Sequence, residues 1–382
     1  MDQTQPPTMG PPAPLFAERY EIVAQEGEQV EAIDRQPWKR CWACGATSNE
    51  AGELFCTECG ANLDGRRYHG QLHVGGTKLC NQNNQPIQLR GMSTHGLQWH
   101  LNCYNDASLD ALANDWKADI LRVSMYVQEG GYSTNPALFR ERADTIIQKA
   151  VDRGIYVNID WHQLSPGDPL AVVGGVPQLD RAKEYFGHMA TKWGHLPNVT
   201  YEICNEPSGV NWARIKQYAN QIVPFIRAID PDGVILVGTE DWSSLGMSGT
   251  YDDPQGGANA IMANPINFPN LMYVFHMYAA SHGAEYRAAL SYAADRIPMF
   301  VTEWGTQTFT GGGGNNFTQS QAYIDLMKTK KISWINWNYS HDPLSGAAFK
   351  EGVCPNGPYT GTAPLKPAGV WIRDQLRLPD EF

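Results

Sequence analysis

The chain of 382 residues carries 40 acidic against 29 basic side chains, a net charge of −11, with 42% apolar and 11% aromatic residues. That balance excludes a phosphate-tracking nucleic-acid binder, which needs a basic surplus. No run of about 18 apolar residues exists to cross a membrane. Length alone suggests two domains of roughly 150 residues each.

Residues 1–14 contain five prolines and almost no apolar pattern, and residues 18–34 contain six acids and one Arg. The expectation for residues 1–37 is a disordered Pro-rich and acidic arm, because such a segment buries too little apolar surface to offset its ordering entropy. The N-terminus has neither a basic n-region nor an apolar h-region, so no Sec signal is read there. The 12 Trp and 17 Tyr are a hint of a different kind. Aromatic faces stack on the apolar faces of sugars and bases, although most aromatics in any protein are core.

Four of the eight cysteines cluster within residues 38–65 as Cys41-x2-Cys44 and Cys56-x2-Cys59, with Gly45 and Gly60 after the pairs. Two adjacent thiolate pairs can complete a tetrahedral all-sulfur shell around zinc, and the glycine after each pair permits the tight turn that presents amides to sulfur. The module resembles a zinc ribbon; two local disulfides or free thiols are the plainer alternative. Lys39, Arg40, Arg66 and Arg67 are too few to argue for DNA in so acidic a chain. The expected role is therefore structural, or docking of a protein partner. Cys80, Cys103, Cys204 and Cys354 are scattered singly and read as ordinary buried cysteines rather than a disulfide framework.

From residue 68 to 382 two patterns alternate. Short, nearly continuous apolar runs occur at 87–92, 120–125, 156–161, 199–204, 234–237, 272–277, 299–304 and 332–337, as strands buried on both faces should read. Between them lie stretches of helical periodicity at 136–153, 180–193, 212–229, 284–294 and 320–330, with Pro136 suited to a first helical turn and Gly154 to a stop. Eight strand-then-helix units predict an α/β fold, a (β/α)8 TIM barrel with a small N-terminal four-cysteine zinc ribbon. Residues 71–88, with turn-like Gly75-Gly76 and Asn83-Asn84, suggest a β-hairpin ahead of the barrel.

A barrel places its chemistry at the C-terminal ends of its strands. In order, those ends carry Ser93, His95 and Trp99; Arg122 and Tyr126; Asp160-Trp161-His162; Asn205-Glu206; Glu240-Asp241-Trp242; His276 and Tyr278; Glu303-Trp304; and Trp337. Glu206 and Glu303 end the fourth and seventh strands, 97 residues apart, so both carboxyls can converge over the mouth. Two carboxyls about 5–5.5 Å apart are what a retaining glycosidase uses, one as nucleophile and one as acid/base. Their surroundings must push the two pKa values apart. Arg122 near Glu303 would favour its ionised form, and Asn205 could bond a substrate hydroxyl. Singly, His162 and His276 suit core histidines, and Tyr278 and Trp337 suit packing. Their placement at strand ends beside both Glu residues favours the functional reading.

The runs RGMSTHGLQWH (90–100), LRVSMY (121–126), IDWHQLSPGDP (159–169), YEICNEP (201–207), VFHMYAASHG (274–283), FVTEWGT (300–306) and SWINWN (333–338) resemble the bacterial endoglucanases of glycoside hydrolase family 5, in the right order over roughly residues 68–377. The resemblance implies endo-acting, retaining hydrolysis of β-1,4-glucan without a catalytic cofactor, with Glu206 as acid/base and Glu303 as nucleophile. It also implies that Arg122, His162, Asn205, His276, Tyr278 and Trp337 surround the −1 sugar, that His95 and Trp99 line the glycone side, and that Trp242 lines the aglycone side; Tyr126, at the end of the second strand, is expected to bind substrate as well. Action outside the cell follows from the resemblance, with a cytoplasmic enzyme as the alternative. The sequence departs from these relatives after the eighth strand, where Asp342 and Leu344 align with a Lys and a Glu that grip the −2 sugar, and at His100, usually Tyr. An altered −2 preference is expected. A β-mannanase or xyloglucanase of the same fold is the nearest rival, and a non-catalytic carbohydrate-binding or adaptor protein is the rival from another class. The glycine run 311–314 lacks the Gly-Lys-Ser/Thr of a phosphate loop, and no GxSxG elbow is present.

Overall fold

The computed structural model describes residues 69–379, together with the backbone of Tyr20–Glu26 and Gln29–Asp34. Cys41, Cys44, Cys56 and Cys59, and with them the expected zinc ribbon, lie outside the described residues. Tyr20–Glu26 pairs antiparallel with Gln29–Asp34, where an unpaired acidic arm was expected. The acids there are interleaved with Ile22, Val23, Val30 and Ile33, and β-branched residues favour the extended pairing.

Eight parallel strands close into a barrel: β1 (Arg90–Ser93), β2 (Ile120–Tyr126), β3 (Tyr156–His162), β4 (Val199–Glu202), β5 (Val234–Val237), β6 (Leu271–Tyr278), β7 (Met299–Gly305) and β8 (Trp334–Asn336). Each pairs with the next, and β8 pairs with β1 to complete the ring. The helices α1 (Asp106–Asn114), α2 (Pro136–Val151), α3 (Gln178–Trp193), α4 (Trp212–Arg227), α5 (Gly256–Ala263), α6 (Ala284–Ala294), α7 (Phe317–Lys330) and α8 (Pro367–Leu376) follow the strands. Asparagines close four of the loops that lead into them: Asn105, Asn135, Asn211 and Asn316 each accept a backbone amide of the following first turn. Each such cap is worth about 1 kcal/mol and fixes where a rim loop ends and its helix begins.

Alternation along the strands builds the layers. Leu121, Val123 and Met125 on β2 and Val157, Ile159 and Trp161 on β3 pack outward against the helices. Ile120, Tyr156, Val234, Leu236, Met272, Val274, Phe300 and Ile335 fill the N-terminal end of the barrel interior. The expected hairpin, His73–Gly75 paired with Lys78–Cys80, closes that end, with Leu72 and Leu79 in the same cluster. Tyr156 ties it down, accepting from the His69 amide at 2.9 Å and donating to the Gly70 carbonyl at 3.0 Å. Truncating Phe300 to alanine in this packed layer would cost about 3–5 kcal/mol.

One cysteine expectation is corrected. Cys103, beyond β1, and Cys354, beyond β8, form a disulfide across 251 residues of sequence, while Cys80 and Cys204 are buried free thiols. The barrel closure of β8 on β1 brings the two distant loops together.

Candidate active site

The inward positions of β2, β3 and β4 continue the alternation upward from apolar to charged. Ile120 is followed inside the barrel by Arg122, Tyr156 by Asn158 and Asp160, and Thr200 by Glu202. Arg122 is wholly buried and fully engaged. Its Nε and Nη2 donate to Glu202 at 2.9 Å, Nη1 donates to Glu303 Oε2 at 2.8 Å, and Nη2 also reaches Asn205 Oδ1 at 2.6 Å and Asp160 Oδ2 at 3.0 Å. A buried guanidinium is stable only when its charge is paired and its donors are used.

Glu202 completes this floor. It also accepts from Asn158 Nδ2 at 2.6 Å and from Thr302 Oγ1 at 2.9 Å. Burial alone would raise its carboxyl, but the Arg122 charge and the His276 contact outweigh that and hold it at about 2. Glu202, Asn158 and Thr302 were not among the residues expected from sequence. The available signal was a Glu inside an otherwise apolar strand run, which has to be paired once it is buried.

Glu303 reaches the interior through a bulge. Four residues of β7, Phe300 to Glu303, lie against three of β6, Val274 to His276, and Val301 to Trp304 likewise lies against Trp334 to Asn336 of β8. Strict alternation from Phe300 would turn Glu303 outward; the extra residue lets both Thr302 and Glu303 face in, while Trp304 packs in the outer core. Tyr278 donates its hydroxyl to Glu303 Oε1 at 2.5 Å, so both carboxylate oxygens accept a bond, the other from Arg122.

Glu206 stands opposite with a different set of partners. His276 Nδ1 lies 3.0 Å from Glu206 Oε1, and His276 Nε2 lies 2.9 Å from Thr302 Oγ1. An oxygen of Glu206, a ring nitrogen of His276 and an oxygen of Glu303 all lie within 4.8 Å of one another. Burial pushes the Glu206 carboxyl up; the His276 bond opposes this and the Glu303 charge adds to it. Burial alone would lower His276, but Glu202 and Glu206 together raise it to about 9.

Above the pair opens a cleft of about 700 Å³. Its walls include His95, Tyr126, His162, Trp242, Tyr278 and Trp337, so these expected residues meet around Glu206 and Glu303. Tyr126, Tyr278 and Trp337 form one apolar cluster at the rim. His162 stacks on Trp337, with rings 5.4 Å apart and 11° from parallel, and its Nδ1 bonds Asp160 Oδ2 at 2.7 Å. Burial and then the Arg122 charge push that imidazole well below its ordinary pKa, so it stays neutral. Arg122 and Asn205 lie beneath the cleft rather than on its wall, and Asn205 Nδ2 is buried with no hydrogen-bond partner. Trp99 stands at the margin, 47% exposed, with its ring 5.1 Å from Tyr126 and 5.5 Å from His95.

Trp242 is held out by its backbone. Asp241, Trp242 and Ser243 all have positive φ, a conformation that costs non-glycine residues about 1 kcal/mol or more each. The surroundings impose it: Glu240 accepts the Trp212 amide at 2.7 Å, and Asp241 accepts the Thr250 amide at 2.6 Å. The indole is left 49% exposed on the cleft wall. Sequence reasoning did not identify Phe309 or His282 as wall residues. Both follow the strands by several residues, on loops whose course no strand pattern reports. The departure after β8 is also resolved: Asp342 pairs with His95 Nε2 at 3.2 Å, and Leu344 lines the cleft.

Residues 80–343 match the family profile for cellulase (glycosyl hydrolase family 5). Endoglucanase E-5 of Thermobifida fusca is 51% identical over 84% of this chain, and endoglucanase CelA of Streptomyces lividans is 48% identical over 82% of it. The chain spans only 66% of the length of either relative. The crystal structure of the catalytic domain of the Thermobifida fusca endoglucanase Cel5A (E5) superposes with a TM-score of 0.77, covering 81% of this chain and 97% of that domain. A substituted form of the same domain, in complex with cellotetraose, superposes equally well. The closed eight-stranded barrel, the facing glutamates and the match over residues 80–343 place this chain in the cellulase family, glycosyl hydrolase family 5.

Proposed function

We propose that this chain is an endo-acting, retaining β-1,4-glucanase in which Glu303 is the nucleophile and Glu206 the acid/base. The observation that carries this reading is the short separation of the two carboxylates, with oxygens within 4.8 Å, together with their unlike partners. An inverting enzyme would need about 6.5–9.5 Å to admit a water between them. Glu303 is fixed by Arg122 and Tyr278, as an attacking carboxylate must be oriented. Glu206 is raised by burial, as a proton donor must be.

In the first step a Glu303 oxygen bonds to the anomeric carbon while the glycosidic C–O bond breaks, and the Glu206 proton passes to the leaving oxygen. In the second, Glu206 takes a proton from water whose oxygen bonds to the anomeric carbon, and Glu303 leaves. Asn205 Nδ2, buried and unpartnered, is available to a sugar hydroxyl. Trp242 on one wall and His95, Trp99 and Trp337 on the other supply apolar faces for a glucan lying across the pair. Two relatives carry the name endoglucanase, and a solved neighbour binds cellotetraose, which supports a β-glucan rather than a mannan. A polymeric substrate also supports action of the enzyme outside the cell. A further part of the proposal is one structural zinc on Cys41, Cys44, Cys56 and Cys59, supported by their spacing.

The test is hydrolysis of carboxymethylcellulose, mixed-linkage glucan, mannan and xyloglucan by the wild type and by Glu303→Gln. The expected result is cleavage of the two β-glucans by the wild type only, with unchanged circular dichroism in the variant. Mannan as the preferred substrate, or turnover by Glu303→Gln above about one thousandth of wild type, overturns the reading.

A further inference from the structure

Three carboxyl groups line the cleft, Glu206, Glu303 and Asp342, and among the described residues that line it there is no Lys or Arg. Around the catalytic pair the charges answer one another. Arg122 lies 2.8 Å from Glu303 and 2.9 Å from Glu202. His276, raised to about 9, lies 3.7 Å from Glu202 and 3.0 Å from Glu206. Two cations thus face Glu202 and Glu303, and Glu206 holds the proton that its burial favours. Asp342, on the loop after β8, stands outside that balance.

Its hydrogen bonds come from groups without charge. The Leu344 amide donates to Asp342 Oδ1 at 2.6 Å. His95 Nε2 lies 3.2 Å from Oδ2, and because His95 Nδ1 accepts the Gly96 amide, the proton of that neutral ring is the one on Nε2. Burial alone would raise the Asp342 carboxyl, but the His95 and Leu344 bonds outweigh it and hold it at about 2. Lys366 donates to the backbone carbonyls of Asp342 and Leu344 and does not line the cleft. The loop is set before substrate arrives: the Asp342 amide donates to Ser340 Oγ at 3.1 Å, and that hydroxyl donates to Asn338 Oδ1 at 2.7 Å. A carboxylate held in this way, with its side chain 12% exposed, is screened less by salt and water than a surface charge.

We propose that Asp342 is a specificity-determining residue, whose fixed negative charge selects neutral β-glucan segments and turns away segments bearing anionic substituents, such as carboxymethyl or uronic acid groups, on the sugar bound beside His95. This rests on the glucanase reading above and adds to it the class of chain that the cleft accepts. Leu344, on the same wall and 44% exposed, offers an apolar face and no compensating charge. Like charges a few ångströms apart in a partly desolvated wall oppose binding by a factor of about 5 or more.

The experiment measures kcat/KM of the full chain on hydroxyethylcellulose and on carboxymethylcellulose of matched substitution, so that the substituents are similar in size and differ in charge. It is run at about 20 mM and about 500 mM NaCl. The expected result is a preference of the wild type for the neutral polymer by about 5-fold or more at low salt, falling to within about 2-fold at high salt. At low salt Asp342→Asn, which keeps the shape and removes the charge, should bring the preference to within about 2-fold. Leu344→Lys, which places a cation beside Asp342 at an exposed position, should do the same, and it reads the charge effect even where Asp342→Asn does not fold. A preference that survives in folded Asp342→Asn, or in Leu344→Lys, overturns the proposal. Equal cleavage of both polymers by the wild type at low salt overturns it too, and leaves the glucanase reading intact. A wild type that cleaves neither polymer overturns the glucanase reading and this assignment with it.

Discussion

Arg122 Nη1 lies 2.8 Å from Glu303 Oε2 while Nε and Nη2 of the same guanidinium hold Glu202 at 2.9 Å. The two carboxylates, from β7 and β4, are thereby fixed to one cation on β2. A lysine carries the charge but lacks the planar fork, so Arg122→Lys must leave part of this set unpaired. Loss of one partner from a buried charge network costs about 3–5 kcal/mol. The variant should unfold at lower urea by that amount and lose about 100-fold or more in kcat as Glu303 loses its orientation. Stability within about 1 kcal/mol of wild type in urea titrations would show that Arg122 is not the centre of the network.

The same floor predicts a pH range for stability. The Glu202 carboxyl is held at about 2 against an ordinary 4.5, so its contribution is complete above 4.5 and is lost as pH falls through about 2. His276 is raised to about 9 from 6.5, so its contribution is complete below 6.5 and is lost as pH rises through about 9. Unfolding free energy should therefore be greatest between about pH 4.5 and 6.5, with an alkaline decline of the order of 3 kcal/mol. In His276→Asn the part of that decline between pH 6.5 and 9 should vanish. A decline equally steep in the variant would assign it to other groups.

How much of this was visible in the sequence depends on where the information resides. Eight apolar runs placed the eight strands to within a few residues, since strands buried on both faces leave an unbroken apolar signature. Glu206 follows β4 and was found by position alone. Glu303 was found from the same strand-end reading, yet alternation by itself would have turned it away. Its inward aim depends on the β7 bulge, which is a property of pairing with β6 and β8 rather than of the local run. Glu202, Asn158 and Thr302 were not legible as strand-end residues: the apolar run 199–204 reads on past Glu202, where β4 stops, and Asn158 and Thr302 lie inside their strands, beneath the mouth. The rim beyond the strands was the least legible part. The positive-φ stretch at Trp242 and the pairing of Asp342 with His95 depend on contacts between loops far apart in sequence.

The Cys103–Cys354 disulfide belongs to that least legible class, and its loop length sets its expected effect. Closing 251 residues removes denatured-state entropy worth up to about 5 kcal/mol in the chain-entropy model. Cys354→Ser, which leaves Cys103 as a small buried thiol, should lower the unfolding free energy by about 2–5 kcal/mol. Dithiothreitol should lower that of the wild type by a similar amount and leave the variant unaffected. Urea titrations of both proteins, with and without reductant, measure this directly. Equal stability of all four samples would mean that the bridge contributes nothing in solution.

The four-cysteine module answers to a metal count rather than to geometry. Two Cys-x2-Cys pairs separated by 11 residues can bind zinc only as thiolates, so binding releases protons and the folded module and the metal stand or fall together. The purified chain should contain about one zinc per molecule, and Cys41→Ser with Cys44→Ser should remove it. Hydrolysis by that double variant should stay within a factor of about two of wild type, because the facing glutamates and everything described around them belong to residues 69–379. Zinc below about a tenth of an equivalent in protein purified without chelator would mean that the cysteines serve another chemistry, two local disulfides first among them. A tenfold fall in hydrolysis on loss of zinc would instead mean that the module reaches into catalysis, and the separation of a metal-stabilised module from a self-sufficient barrel would have to be abandoned.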